Sequence, residues 1–171
     1  MFERQLHPTW RELLAEQLPL LKDIEAKVLA DSTSIPDPSM MLRVLQRPPA
    51  DYRVLIVGQD PYPNPEHPIG LSFAVPETTS IFPPTLKNIL KELASDLGPS
   101  TVSTGNISPW ADRGVMLLNR HLSTGAGVSA AHFGFGWEQF TTAAVAALNQ
   151  VNSGRLVSIL WGSKAQELEP V

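Results

Sequence analysis

An apolar stripe at helical spacing opens the chain. Trp10, Leu13, Leu14, Leu18, Leu21, Ile24 and Val28 recur every three or four positions behind Thr9-Trp10-Arg11-Glu12, which reads as a capping box, so the pattern predicts a single first helix. Asp31 to Pro38 is a turn-rich break, and Met40 to Leu45 then predicts a shorter apolar helix ended by Pro48-Pro49. Three compact aliphatic runs follow: Val54-Leu55-Ile56-Val57, Val115-Met116-Leu117-Leu118 and Leu156-Val157-Ser158-Ile159-Leu160. Continuous apolar runs with polar flanks are the mark of strands covered on both faces of a parallel sheet. Between the first two, a helix starting at Pro84 carries Leu86, Ile89, Leu90, Leu93 and Leu97 and stops at Gly98-Pro99. Between the second and third, Trp137, Phe140, Ala144, Leu148 and Val151 make another stripe. Strands alternating with helices predict an α/β fold, a doubly wound parallel sheet with helices on both faces, in a single domain over residues 1–171. Gly162 to Leu168 looks like the start of a further helix, and a three-strand sheet leaves one edge poorly covered, so the pattern reads as a cropped domain.

Composition narrows the chemistry. The chain has no cysteine, which removes disulfides, thiolate nucleophiles, cysteine-ligated zinc and iron–sulfur clusters. No apolar run approaches the roughly 20 residues of a membrane span, and Met1-Phe2-Glu3-Arg4-Gln5 lacks the features of a secretory signal, so a cytoplasmic protein is expected. A formal net charge of −4 argues against a protein that coats DNA electrostatically. It leaves room for one that grips a single nucleotide through backbone amides and hydroxyls.

Ligands of open α/β sheets bind beyond the carboxyl ends of the strands. After the first strand comes Gly58-Gln59-Asp60-Pro61-Tyr62-Pro63 and then Gly70-Leu71-Ser72-Phe73; after the second comes Asn119. An Asp among Gly and Pro also makes ordinary Asx turns, and Asn119 reads equally as a turn asparagine. Taken together, the two strand ends offer one acid, two amides and two aromatic rings. No metal and no cofactor is expected, since a single carboxylate without clustered ligands makes a poor cation site. No G-x-G-x-x-G or Walker pattern follows the first strand, which weighs against an enzyme of free nucleotides.

Gly58-Gln59-Asp60-Pro61-Tyr62 resembles the signature of the family 1 uracil-DNA glycosylases, and Gly70-Leu71-Ser72-Phe73 resembles its continuation. Phe82-Pro83-Pro84-Thr85-Leu86-Lys87-Asn88-Ile89, Trp110-Ala111-Asp112-Arg113-Gly114-Val115, Leu117-Leu118-Asn119, Gly136-Trp137-Glu138-Gln139-Phe140-Thr141 and Leu160-Trp161-Gly162 match further landmarks in order. The resemblance implies a base-excision-repair hydrolase that cuts the N-glycosidic bond between uracil and deoxyribose after flipping the base. By the same resemblance Asp60 is the carboxylate that positions the attacking water, Gln59 presents its backbone to O2 of the base, and Phe73 is the floor on which the base stacks. Tyr62 fills the space beside C5, so thymine's methyl collides with it. Asn119 reads the base edge, donating to O4 and accepting from N3–H. Pro83, Pro84 and Thr85 press on DNA phosphates, while Pro84 is also a common helix-initiating proline. The implied partners are uracil-containing single- or double-stranded DNA, uracil as product and a protein inhibitor that mimics DNA; the implied state is a monomer.

Departures accompany the match. Pro63 stands where the family has histidine, Thr85 replaces a serine, and Leu122-Ser123-Thr124-Gly125 departs from a more basic and aliphatic pattern. The family's last strand precedes a His-Pro-Ser-Pro-Leu stretch whose histidine stabilises the departing uracil anion, and these 171 residues contain no such stretch. His7, His67, His121 and His132 lie elsewhere in the pattern and read as surface or packing histidines. The resemblance therefore implies a C-terminally truncated domain lacking the last family strand. A non-catalytic member of the same fold that binds uracil-DNA or a protein is the competing reading.

Overall fold

The computed structural model describes residues 1–98 and 104–171. Helices α1 (Pro8–Leu13) and α2 (Leu18–Ala30) open the chain, followed by strands β1 (Ser34–Ile35) and β2 (Val54–Gly58) and helices α3 (Pro84–Leu97) and α4 (Ser108–Asp112). Strands β3 (Val115–Asn119) and β4 (Thr124–Gly125), helix α5 (Trp137–Val151), strand β5 (Val157–Leu160) and helix α6 (Ser163–Gln166) complete the order.

The expected single first helix is two. Pro19 causes the break: it has no N–H to give and its ring would strike the carbonyl four residues back, so it sits in the first turn of α2. The capping box at Thr9 is also corrected, because the N-cap is His7, whose Nδ1 accepts from the Thr9 N–H at 3.3 Å. Leu13, placed in the stripe, is 39 % exposed, whereas Trp10, Leu14, Leu21, Ile24 and Val28 are buried. The short helix expected over Met40 to Leu45 is only a 3₁₀ turn at Arg43–Leu45, although Met41, Leu42, Val44 and Leu45 are all core residues.

The sheet runs β3-β2-β5, with both pairs parallel. Its register sets Val54 against Val115 and carries Gly58 level with Asn119 at the carboxyl end. β2 and β3 are buried as read from the sequence, but β5 is not a core strand: Val157 is 60 % exposed and Ile159 36 %. The buried β3 is an edge strand too, so edge position alone does not account for this, and an apolar run predicts a strand without guaranteeing that both its faces are covered. Helix α3 buries Leu86 but leaves Leu97 75 % exposed, and of the expected stop at Gly98-Pro99 only Gly98, at φ 86°, falls among the described residues. Helix α5 follows its stripe, burying Trp137, Phe140, Ala144 and Leu148. Phe140 and Leu148, taken fully out of water, each contribute about 1.5–3 kcal/mol. Among the described residues no helix is long and apolar enough to cross a membrane.

One buried polar chain ties α2 to α5. Trp137 Nε1–H donates to Ser123 Oγ at 2.7 Å, Ser123 Oγ lies 2.7 Å from His132 Nδ1, and His132 Nε2 lies 3.1 Å from Asp31 Oδ2. The Thr33 hydroxyl and then its amide, with His132 adding less, hold the Asp31 carboxyl down at about 2 from its ordinary 3.8. The folded state thus binds this proton more weakly than the unfolded chain does. The contribution is whole above about pH 4 and is lost as pH falls through 2. Thermal melts between pH 5 and pH 2 should therefore show a smaller acid-induced fall in Tm for Asp31→Asn than for the parent chain. Equal slopes would remove Asp31 from the acid response.

Candidate active site

The strand ends define the site. Gln59, Asp60, Tyr62, Phe73, Thr85 and Asn119 line a single cavity of about 310 Å³, joined by Ser129 and Trp161. Pro83 and Pro84 do not line it; they lead into α3 beside Thr85, with Pro83 buried and Pro84 exposed. The size sits at the small end of ligand cavities, which run from about 300 Å³ upward.

Strand pairing continues one step past the sheet and fixes the floor. The Arg120 N–H donates to the Gly58 carbonyl and the His121 N–H to the Gln59 carbonyl, both at 2.9 Å. With that carbonyl engaged, the group Gln59 can turn toward a ligand's oxygen is its own N–H. Glycine at position 58 leaves room for both groups: a Cβ there would lie 2.7 Å from Asn119 Oδ1 and 2.8 Å from Phe73 Cζ. The missing side chain is the space into which the amide and the ring close.

Asp60 is held by donors on both oxygens. Gln59 Nε2 donates to Oδ1 at 3.0 Å, the Ser129 hydroxyl approaches Oδ1 at 3.2 Å and Oδ2 at 2.9 Å, and the Ala130 N–H donates to Oδ2 at 2.6 Å. Ala130 at φ 62° and Phe73 at φ 63° both occupy the left-handed region, which costs about 1–3 kcal/mol for a non-glycine residue and clusters at sites that need a fixed geometry. Phe73 meets Trp161 edge-on, with ring centroids 5.1 Å apart and planes at 75°. Burial pushes the Tyr62 hydroxyl above its ordinary pKa, against a smaller opposing effect of hydrogen bonding with Thr85 and the Leu86 backbone.

The sequence reading missed Ser129, Ala130 and Trp161. The strand-end rule that singled out Asp60 and Asn119 would have found Trp161, which directly follows β5. Ser129 and Ala130 sit in an irregular loop nearly seventy positions from Asp60, and no local pattern announces them. None of His7, His67, His121 and His132 lines the cavity. His121 and His132 are 1 % exposed, stacked on Phe133 and Phe135 at 4.0 and 4.2 Å, and each meets an acid, Glu138 and Asp31. Asp31, His132 and Ser123 fall in the order of a hydrolytic triad, yet Ser123 is wholly buried and already accepts from Trp137, so no substrate reaches it. Among the described residues no group of three or more candidate ligands could hold a metal ion.

An acid, an amide and an aromatic ring share one cavity at the carboxyl ends of the parallel strands of an α/β protein, the place where open sheets of this class take their ligands. No protein-family model matches the chain. It is 49% identical over 168 residues to a uracil-DNA glycosylase of Nocardioides sp., covering 96% of this chain and 73% of that protein. To a uracil-DNA glycosylase of Tropheryma whipplei it is 44% identical over 170 residues, covering 97% of this chain and 74% of the relative. The fold matches a mimivirus UNG variant crystallised with UGI at a TM-score of 0.84 and 24% identity, over 98% of this chain and 66% of that one. It also matches UNG of Nitratifractor salsuginis at a TM-score of 0.71 and 20% identity, over 99% and 80% of the two chains. The chain belongs to the uracil-DNA glycosylase family.

Proposed function

We propose that this chain excises uracil from DNA by hydrolysing the bond between N1 of the base and C1′ of the sugar. The reading is carried by one observation: Asp60, Phe73 and Asn119, far apart in sequence, open onto one cavity. A flipped uracil stacks on Phe73, which Trp161 buttresses from its edge. Asn119 donates to O4 and accepts from N3–H, the Gln59 N–H faces O2, and Tyr62 stands against C5. Cytosine reverses both Asn119 contacts, and each buried polar group left unpaired costs about 1–3 kcal/mol, enough for strong rejection. Asp60 aligns a water on C1′ and stabilises the positive charge that builds on the sugar as the bond to the base breaks. The water's oxygen bonds to C1′, its proton passes to Asp60, and the bonding pair leaves with uracil N1. Pro83, Pro84 and Thr85, with the amino end of α3, take the flanking phosphates, so few lysines are needed and a net charge of −4 is no obstacle.

Among the described residues no histidine lines the cavity, so the assay is run at single turnover with protein in excess. Single-stranded oligonucleotides carrying one uracil, thymine or cytosine are incubated and the free base is measured. Release of uracil alone is expected; release of cytosine at a comparable rate, or of no base from any strand, rejects the reading. The same reading makes this a monomeric, cytoplasmic repair enzyme, whose DNA groove an acidic DNA-mimicking protein would block.

A further inference from the structure

The ring that faces C5 of the base is tethered at its far end. Tyr62 Oη lies 2.8 Å from Thr85 Oγ1, a hydrogen bond in which either hydroxyl can be the donor. Each hydroxyl can donate one hydrogen and still accept, so with Tyr62 Oη donating to Thr85 Oγ1 the Thr85 hydrogen can serve a second acceptor. Thr85 is exposed in the first turn of α3, yet it also lines the cavity, so its hydroxyl stands between the base pocket and the outer surface. On the other side the His67 ring meets Tyr62 edge-on at 6.1 Å and 86°, which limits a swing in that direction.

We propose that Thr85 is a specificity-positioning residue: its hydroxyl pins the Tyr62 ring against the C5 side of the cavity and couples exclusion of 5-methylated pyrimidines to a DNA phosphate that accepts from the same hydroxyl. The inference rests on the function proposed above and assigns Thr85 a task beyond phosphate contact. A tyrosine fixed only at its Cβ end yields to a methyl group by a small rotation, and a yielding pocket discriminates poorly against one extra methyl. Pinning the phenol oxygen blocks that rotation. A phosphate oxygen taking the Thr85 hydrogen polarises the hydroxyl and strengthens the bond it accepts from Tyr62, as in any chain of hydrogen bonds. The wall is therefore stiffest when the flanking DNA is seated.

Binding of a non-hydrolysable substrate tests this without requiring turnover. A fluorescent single-stranded oligonucleotide carries one 2′-fluoro-2′-deoxyuridine, and its twin carries the 5-methyl analogue; anisotropy gives a Kd for each with the parent chain, Thr85→Val, Thr85→Ser, Tyr62→Phe and the Thr85→Val/Tyr62→Phe double variant. Thr85→Val and Tyr62→Phe should each reduce the preference for the unmethylated strand by about three- to tenfold, the range of one net hydrogen bond. The double variant should lose no more than either single one, and Thr85→Ser, which keeps the hydroxyl, should restore the preference. If Thr85→Val weakens both strands alike and leaves their ratio unchanged, Thr85 contacts phosphate only and the inference is wrong. Effects of the two single changes that multiply in the double variant also overturn it. A parent chain with no preference between the strands overturns the functional reading beneath it, which is a different result from a preference that ignores Thr85.

Discussion

Changing Asp60 to asparagine should cut the rate of uracil release by at least about 10²–10³-fold, the usual cost of removing a group that stabilises transition-state charge. The substitution is nearly isosteric, and the donors around the site stay useful: an asparagine oxygen can still accept from the Ala130 N–H and the Ser129 hydroxyl. Gln59 need only turn its amide over to meet the new NH2 group. The fold and the cavity should therefore survive, and the variant should bind a uracil-containing strand about as well as the parent while releasing almost no base. That pairing separates the catalytic reading from the non-catalytic one. A protein that merely binds uracil-DNA releases no base in either form, and a binding curve unchanged by the substitution would then be the whole phenotype. Single-turnover base release and anisotropy on the same preparations supply both numbers. Release by Asp60→Asn within tenfold of the parent would remove Asp60 from the chemistry.

Much of this site is written in short local patterns, and the exceptions have a common cause. The runs at Val54 and Val115 are apolar because both faces are covered, and their parallel register alone brings Gly58 level with Asn119. Once those strands are recognised, the residues after them are candidate ligand groups by topology. Other features are set by partners distant in sequence. Asp60 takes two of its donors from the loop at Ser129 and Ala130, an irregular segment whose alanine sits in the left-handed region with no glycine to signal it. Pro19 splitting the first helix was legible by its chemistry alone, since a proline is tolerated only in a first turn. The apolar stripe running across it outweighed that signal. β5 shows the limit of hydrophobic pattern from the other side: its residues read as a covered strand, yet Val157 and Ile159 stand exposed at the sheet edge. Apolar sequence predicts the strand, not the coverage of both its faces.

Gly58 gives the sharper test of how the cavity is assembled. An alanine methyl at this position would sit 2.7 Å from Asn119 Oδ1, with Phe73 Cζ at 2.8 Å and Cε2 at 3.2 Å. Both neighbours are the ends of side chains rather than backbone, and Gly58 is not among the residues at positive φ, so the strand itself accepts alanine without strain. The melting temperature of Gly58→Ala should thus stay near that of the parent. The cost falls instead on geometry, because Asn119 and Phe73 must back away from the places where they would read and stack a base. Displacements of about 1 Å in such groups can cost 10²-fold, so uracil release and affinity for the 2′-fluoro-deoxyuridine strand should both fall by about that factor. Retained stability with lost recognition would locate the effect in the cavity. A Gly58→Ala variant that binds and releases uracil like the parent would mean that the amide and the ring do not have to close over this glycine, and the assignment of Asn119 and Phe73 to base recognition would fall with it.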